Sequence, residues 1–293
     1  MNWNSVRQRL ARRLTPAGSA QLPRVALAPA QTTVSAEEYQ AALVAQALAR
    51  DLRLPDAYAR IGTAIAAVPD PEERKHLQTH AVRWLQTIAM LPDGHGDLVD
   101  IAAAPFYVDA LQQIRGWNVV PVATLSIDYE KDRLPFDDDA FGAALLGEVI
   151  EHFVLDPLFC LNEINRVLKQ GGALVVTTPN AASWFSIYEA LHQRHPSRWP
   201  VYSGNPTKAR NHIHAREYTC AELRILLEAA GFGECEITTL DYGIAPPYAP
   251  LAGFDPTNRG ETIYAACRKA GPPTFRYVKP IYLETEAFAA ACP

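Results

Sequence analysis

Short apolar runs alternate with helix-like segments over residues 98–268, and this alternation constrains the fold more than any other feature of the chain. Such a rhythm predicts an α/β fold with a doubly wound, mostly parallel sheet. Strands are expected at 98–102, 117–124, 141–146, 173–178, 234–242 and 261–268, and helices at 107–115, 157–168 and 220–230. Residues 124–140 are too few for a helix, a strand and a second helix, so one element of the standard pattern should be short or absent.

A helical segment is predicted ahead of the sheet, over residues 35–92. Ser35 and Glu38 have the spacing of a capping box at the start of its first helix. Its third helix begins at Pro71 and carries Trp84 on an apolar face, which indicates a core residue. We expect these helices to cover one side of the sheet and to help shape a substrate pocket.

Residues 1–34 are basic and are expected to form a flexible arm, since no acidic residue precedes Glu37. The apolar residues of 2–14 recur at helical spacing, so this stretch could instead be an amphipathic helix in peripheral contact with an anionic membrane. We favour the solvated arm, because such patterns arise easily in short segments. A mitochondrial transit peptide has a similar composition and ranks third.

Composition is that of an ordinary globular protein, with 48% hydrophobic and 20% charged residues over 293 positions. A net charge of -5 does not indicate a generally basic surface, so a nucleic acid partner is not expected. The five cysteines are scattered and lack a C-x-x-C pair, which argues against a disulfide framework and fits the cytoplasm. The sheet domain is expected over 93–270, followed by a tail at 271–293.

A long block at residues 134–180, LPFDDDAFGAALLGEVIEHFVLDPLFCLNEINRVLKQGGALVVTTPN, resembles class I S-adenosylmethionine-dependent methyltransferases of the type 11-like kind. Those proteins typically show L-P-F-x-D-x-x-F-D, then E-V-I-E-H, then R-V-L-K-P-G-G before a strand ending in T-P-N. Residues 214–232, HAREYTCAELRILLEAAGF, are similar to the H-x-R-E-Y-T helix entry of relatives associated with glycan and polysaccharide modification. The resemblance covers about residues 84–269 and implies a Rossmann-like methyltransferase sheet with S-adenosyl-L-methionine as cofactor.

The resemblance implies cofactor contacts at the turn after the first strand, where the family has D/E-x-G-x-G-x-G. Asp100 keeps the acidic start of that turn, whereas Ala102, Ala104 and Phe106 stand at the three glycine positions. An alanine forced into the left-handed region costs about 1–2 kcal/mol, so a modest shift of the turn could accommodate it. The Phe106 ring must either point into the core or occupy space that the cofactor needs.

Four further positions are expected to line the cofactor pocket. The family places a ribose-binding acid at the end of the second strand, where this chain has alanine with Thr124 beside it. Asp128 or Glu130 is expected to curl back and replace that acid, because the loss of a charged hydrogen bond costs about 1.5–3 kcal/mol. Gly147 and Glu148 border the turn after a central strand, and they either line the same pocket or serve only the loop and the next helix.

Two histidines are the candidate catalytic residues. His152 in the E-V-I-E-H turn should follow a central strand at the switch point, where open α/β sheets bind ligands. It is either a general base or substrate contact for a hydroxyl acceptor, or a residue that only holds the loop. His214 or Arg216 is expected to close over the pocket from the loop before the last helix, unless Arg216 and Glu217 only pair with each other there. His212 and His214 could bind a metal ion, but no third ligand lies at a convincing spacing, so no metal site is expected.

These features predict a methyltransferase that uses S-adenosylmethionine to O-methylate a sugar or glycolipid-like acceptor. Trp199, Tyr202 and Lys208 are of the kind that stack on sugars, unless they belong to a surface loop with buried anchors. Two alternatives stay open. The chain could be a non-catalytic protein of the same fold that binds a partner or a small molecule, or a methyltransferase for a quinone or secondary metabolite. The sequence indicates no oligomeric state.

Overall fold

The computed structural model describes residues 35–101, 105–122, 127–199, 213–241 and 257–273. Six strands form one sheet in the order β2-β1-β3-β4-β6-β5. Strands β1 to β4 pair in parallel, whereas β6 is antiparallel to both β4 and β5. The strands are β1 Gly96–Asp100, β2 Trp117–Pro121, β3 Phe141–Gly147, β4 Leu168–Pro179, β5 Phe232–Leu240 and β6 Thr262–Lys269.

Helices cover both faces of this sheet. Short 3-10 turns at Pro105–Tyr107 and Ile150–His152 follow β1 and β3 respectively. The α-helices are α1 Ala36–Leu48, α2 Leu54–Ala66, α3 Pro71–Met90, α4 Val108–Arg115, α5 Pro157–Val167, α6 Trp184–Leu191 and α7 Cys220–Ala229. The predicted doubly wound, mostly parallel α/β fold with an N-terminal helical segment is confirmed.

Each face of the sheet has its own hydrophobic core, because successive strand residues point to opposite faces. On one face Val99, Leu146 and Val176 pack with α5 and α7. On the other face the preceding residues in each strand pack with α2, α3 and α4; they are Leu98, Leu145 and Val175. A one-residue change of register would exchange these two sets, so the burial pattern fixes the strand pairing.

The N-terminal helices form and pack as expected from the sequence. Glu38 donates its backbone N–H to Ser35 Oγ at 3.1 Å, and Ser35 donates its own to Glu38 Oε2 at 2.8 Å, which completes the capping box. Helix α3 begins at Pro71, with Asp70 as its N-cap. Trp84 on α3 is 6% exposed and lies in the core between the helices and the sheet. These helices therefore cover one face of the sheet.

The connection between β2 and β3 is short, as predicted. Residues 127–140, the described part ahead of β3, form turns and bends. They hold neither a strand nor a helix within that range. Over 127–140 the connection therefore lacks the additional strand and helix that a longer crossover would carry.

Two details differ from the sequence-based expectation. The segment KQGG was expected to end a helix before a strand at 173–178, but β4 begins at Leu168. Leu168 of β4 pairs with β3, and the next residue of β4 that does so is Ala173. The residues between them form a bulge, in which Gly171 has a φ of 75°. Helix α6 was not predicted; it begins after Ser183, whose Oγ accepts a hydrogen bond from the Ser186 N–H at 3.1 Å.

Several predictions fall outside the described residues. They concern the arm at 1–34, Ala102, Ala104, Thr124, the 200–212 stretch with Tyr202, Lys208 and His212, and the tail beyond residue 273. Those stay predictions. Among the described helices, none has the length and apolar character needed to cross a membrane.

Candidate functional site

The carboxyl ends of three parallel strands meet at one edge of the sheet. These ends are Asp100 in β1, Gly147 in β3 and Pro179 in β4. Strands β1 and β3 are neighbours, but β1 is followed by β2 on one side while β3 is followed by β4 on the other. The sheet therefore has its switch point between β1 and β3, where open α/β folds bind ligands. The residues just beyond these ends form the candidate site.

Asp100 is fully buried at the end of β1. Its Oδ2 accepts a hydrogen bond from the Tyr107 hydroxyl at 2.8 Å. Burial, and then the nearby Asp100 carboxylate, raise the pKa of Tyr107 well above its usual value, so this hydroxyl stays a donor. A second tyrosine, Tyr129, donates to the Ile101 carbonyl at 3.2 Å. The acid thus lies where the sequence predicts it, held by a tyrosine of the chain.

Phe106 packs toward the core. Its ring centroid lies 4.0 Å from that of Trp84 on α3 and 5.7 Å from that of Tyr107. The side chain is half-buried against the core between the helices and the sheet. Of the two orientations that the sequence left open, the structure has the one toward the core.

Asp128 and Glu130 both hold the connection after β2. The Asp128 carboxylate accepts hydrogen bonds from the Glu130 N–H at 3.1 Å and from Lys131 Nζ at 3.0 Å. Glu130 is buried, and its Oε1 accepts a hydrogen bond from the Leu155 N–H. The Asp128 side chain is 30% exposed. Asp128 is therefore the acid of the two that a ligand can reach.

Gly147 ends β3, and Glu148 after it adopts a φ of 55°. This left-handed conformation costs about 1–2 kcal/mol for a residue with a side chain, so its contacts must hold it. The Glu148 N–H donates to the Thr177 carbonyl at 2.9 Å, and Oε2 pairs with Arg83 of α3 at 3.0 Å. Within the described part of the chain, Glu148 Oε1 is buried without a hydrogen-bond partner, which leaves an acceptor for a ligand.

Glu151, His152 and His214 form one group, named here the imidazole–carboxylate cluster. One nitrogen or carboxylate oxygen from each lies within 4.8 Å of the others. The two imidazole centroids are 5.0 Å apart, and His152 Nε2 is 4.0 Å from Glu151 Oε1. His152 Nδ1 lies 2.6 Å from the Ile213 carbonyl. Because a carbonyl only accepts, Nδ1 carries the proton, and Nε2 carries the lone pair of the neutral ring.

Backbone hydrogen bonds bring His214 to the turn after β3. The Arg216 N–H donates to the Glu151 carbonyl at 3.1 Å. The Ala181 N–H donates to the Tyr218 carbonyl at 2.9 Å, which ties the same loop to the end of β4. The two candidate catalytic histidines, distant in the sequence, therefore lie together at the carboxyl edge.

Glu151 is the member of the cluster that sequence reasoning missed, although it stands beside His152 in the E-V-I-E-H turn. It is fully buried, and its Oε2 accepts a hydrogen bond from Thr178 Oγ1 at 3.0 Å. Burial, and then the nearby charge of Glu148, raise the pKa of Glu151 well above its ordinary value. Its Oε1 is buried and lacks a hydrogen-bond partner among the described residues.

Trp199 and helix α3 form a wall beside the cluster. The Trp199 ring centroid is 5.3 Å from that of His214 and 6.4 Å from that of His80 on α3. Burial, and then the charge of Arg83, lower the pKa of His80 to about 3, so this ring is neutral at ordinary pH. The helical segment therefore contributes His80 and Arg83 to the site, and no local sequence motif marked either of them.

A small cavity with both polar and apolar lining residues adjoins Trp199. Among its lining residues, Arg198 pairs with Glu261, and Glu217 accepts a hydrogen bond from Ser197 Oγ at 2.6 Å. Burial, opposed by Arg198, raises the pKa of Glu261 to about 7. The cavity thus combines an aromatic face with charged groups that are largely removed from water.

Comparisons with known proteins agree with this architecture. Residues 98–176 match the family described as Methyltransferase domain. A Mycolicibacterium smegmatis protein named as a probable S-adenosylmethionine-dependent methyltransferase is 30% identical over 137 residues, which are 47% of this chain and 44% of that protein. An uncharacterised protein of Mycobacterium tuberculosis is 33% identical over 102 residues, 34% of this chain and 31% of that protein.

A solved S-adenosylmethionine-dependent methyltransferase of Thermotoga maritima is 24% identical, with a TM-score of 0.43, covering 68% of this chain and 95% of that one. This chain spans less than half the length of the curated relatives that it matches. The family match runs from β1 into β4 and contains Asp100, Glu148, Glu151 and His152. The match to a methyltransferase domain is therefore confined to residues 98–176, the part of the sheet that supplies these four side chains.

Proposed function

We propose that this chain is a methyltransferase that uses S-adenosylmethionine to methylate a hydroxyl of a sugar or glycolipid-like acceptor. One observation carries the proposal. Strands of the segment that matches a methyltransferase domain end at the carboxyl edge of the sheet. Asp100, Glu148 and the imidazole–carboxylate cluster lie at this same edge. Acceptor and cofactor would both bind along this edge.

The acidic groups at this edge fit the cofactor. S-adenosylmethionine carries an ammonium group, a sulfonium and ribose hydroxyls, which are cationic centres and hydrogen-bond donors. Glu148 Oε1 is a buried acceptor that no described residue satisfies, and Asp128, in the connection after β2, is an acid that a ligand can reach. Asp100 fixes the end of β1 through Tyr107. When bound, the cofactor supplies an electrophilic methyl carbon.

The chain contributes to the reaction mainly by positioning the acceptor and the cofactor. Methyl transfer is an in-line displacement, so its rate depends on holding the acceptor oxygen in line with the methyl group in a water-poor pocket. The lone pair of His152 Nε2 can accept a hydrogen bond or a proton from an acceptor hydroxyl. His214 lies against the same ring, with the centroids 5.0 Å apart, and would close the side of the pocket.

The sugar-like acceptor is supported by the surroundings of Trp199. Indole rings pack on the apolar faces of sugars, and carboxylates with guanidinium groups bind their hydroxyls. Here Trp199 stands next to Arg198, Glu217 and Glu261 around one cavity, and its ring centroid lies 5.3 Å from that of His214. The cavity itself has a volume of about 20 Å³, room for about one water, so it would contribute these side chains to a sugar bound at its mouth. The charged groups of the lining favour a polar acceptor over a quinone.

A turnover assay with His152→Ala tests the proposal. The assay follows transfer of labelled methyl from S-adenosylmethionine to a panel of sugars, glycolipids and quinones. With whichever acceptor is methylated, we expect His152→Ala to lower turnover by at least about tenfold and to change cofactor affinity little. His95→Ala is the matched control, because His95 is exposed just before the amino end of β1.

Three outcomes would contradict parts of the proposal. Turnover unchanged in His152→Ala but lost in His214→Ala would place the key group on the loop before α7. Methylation of quinones alone would overturn the sugar acceptor. Cofactor binding without transfer to any acceptor would favour the non-catalytic alternative, a binding protein of the same fold.

A further inference from the structure

The imidazole–carboxylate cluster has the composition of a metal site. Glu151, His152 and His214 each offer one ligand atom, and these atoms lie within 4.8 Å of one another. Two ligands that share an ion at about 2.0–2.2 Å lie roughly 3–3.5 Å apart, so the side chains would close by about one ångström. The sequence-based expectation was that there is no metal site, because it rested only on ligands close together in the sequence, whereas these come from the turn after β3 and from a distant loop.

Two atoms of the cluster are buried without hydrogen bonds. Glu151 is fully buried and His214 is 9% exposed. Glu151 Oε1 and His214 Nδ1 have no hydrogen-bond partner among the residues that the structure describes, although His214 Nδ1 lies 3.5 Å from Glu217 Oε1. Buried polar atoms are nearly always satisfied, and leaving one unpaired costs about 1–3 kcal/mol. A cation that accepts an electron pair from Glu151 Oε1 would account for the unpaired carboxylate oxygen, with His214 offering one ring nitrogen beside it.

Neighbouring groups orient the other atoms as they do around metal ions. His152 Nδ1 donates to the Ile213 carbonyl at 2.6 Å, which presents the Nε2 lone pair on the side of Glu151. Glu151 Oε2 is held by Thr178 Oγ1 at 3.0 Å, which fixes the direction of Oε1. Metal-ligating histidines usually donate their second nitrogen to a carbonyl or carboxylate, and ligating carboxylates are themselves hydrogen-bonded.

The local charge also favours a cation. Two carboxylates, Glu148 and Glu151, belong to the turn after β3, and Glu151 is fully buried. Arg83 compensates Glu148 at 3.0 Å. Among the described residues, the ion-pair partner within 4.0 Å of Glu151 is His152, while Arg83 pairs with Glu148. A divalent cation at the cluster would add positive charge beside these carboxylates.

We propose that Glu151, His152 and His214 bind one divalent transition-metal ion of the Zn²⁺, Mn²⁺ or Co²⁺ kind. Two imidazoles with one carboxylate suit these ions better than Mg²⁺ or Ca²⁺, which prefer all-oxygen ligands. Three protein ligands leave coordination positions open for solvent or a substrate oxygen. Ligation uses the only lone pair of His152 Nε2, so this nitrogen acts as a general base only in metal-free protein.

Co²⁺ titration of chelator-treated full-length protein tests the proposal, because Co²⁺ reports its ligands by absorption. We expect one Co²⁺ per chain with a Kd of ~1 µM or tighter and no thiolate charge-transfer band. Glu151→Gln and His214→Ala should each weaken binding by at least about tenfold. His95→Ala, at the opposite edge of the sheet, should bind as the wild type does.

The same titration can overturn the proposal. No saturable binding by the folded wild type below ~100 µM would do so, as would equal affinity in Glu151→Gln and His214→Ala. A thiolate band would assign binding to cysteines instead. If His214→Ala does not fold by circular dichroism, the nearly isosteric Glu151→Gln decides alone. Because the measurement needs neither S-adenosylmethionine nor an acceptor, its failure is separate from a failure of the proposed methyl transfer.

Discussion

Phe106 is a bulky residue at a position where the family that the sequence resembles has a glycine. It stands where the resemblance places the third glycine of the cofactor turn, yet its ring lies against Trp84 with the centroids 4.0 Å apart. The 3-10 turn at Pro105–Tyr107 directs the ring to helix α3. A side chain at this position is therefore compatible with a ligand at the carboxyl edge, because its volume is taken up by the core.

Phe106→Ala should destabilise the protein and leave cofactor affinity unchanged. Deleting a fully buried aromatic ring costs about 3–5 kcal/mol, and for this half-buried ring we expect roughly 1–3 kcal/mol. Urea unfolding followed by fluorescence measures the change. Leu52→Ala, at a side chain that is 99% exposed, is the control. Unchanged stability together with tighter cofactor binding would instead show that the ring blocks the cofactor.

Site residues were predictable where a local motif marked them. The E-V-I-E-H turn predicts His152 and Glu148, and H-x-R-E-Y-T predicts His214. Arg83 and His80 were not predictable. They reach the site from helix α3, which precedes the sheet, and the periodic pattern of that helix does not indicate which of its polar side chains face the site. Their roles depend on tertiary packing, which a single sequence does not report.

At the scale of elements, helix α7 and the loop before it act as one unit. The Thr219 side chain accepts a hydrogen bond from the Glu222 N–H at 3.2 Å, and Glu222 Oε2 accepts one from the Thr219 N–H at 2.9 Å. This capping box, predicted from the sequence, fixes where α7 begins. Just ahead of it, Arg216 and Tyr218 attach the loop that carries His214 to the ends of β3 and β4.

Thr219→Ala should therefore act at two places. Loss of an N-cap costs about 0.5–2 kcal/mol, and we expect a loss of stability of that size. The imidazole NMR signals of His214 and His152 should also shift. Ser35→Ala removes the matching cap of α1, which is exposed, and should lower stability without moving those signals. Shifted signals in both variants, or in neither, would contradict a local link between the cap and the cluster.

The start of an element was predictable where neighbouring residues in the sequence form a helix cap. It was less predictable where pairing with a distant strand sets the boundary. Helix α3 begins at Pro71 as expected, since Asp70 and Pro71 are themselves the start signal. The start of β4 was misplaced, because residues 169–172 remain in the strand as a bulge opposite β3. Only the long-range partner on β3 specifies that bulge.

At the scale of the whole molecule, the helical segment and the sheet share a core. Ile61 and Leu85 of the helices pack with Leu98, Leu145 and Val175 of the strands. The alternation of strands and helices predicted the sheet class, and the short connection at 127–140 predicted its missing element. From the sequence we expected only that the helices cover one face of the sheet, not that helices and strands share one core. Contacts between segments distant in the sequence leave no periodic pattern.

The central claim is that the carboxyl edge of this sheet binds S-adenosylmethionine despite the altered glycine turn. Isothermal titration calorimetry of the wild-type protein with S-adenosylmethionine and with its demethylated product, S-adenosylhomocysteine, tests that claim most directly. We predict one site per chain for each ligand, with Kd values of ~1–100 µM. Absence of binding heat for both ligands at millimolar concentration, in protein shown to be folded, would contradict the account.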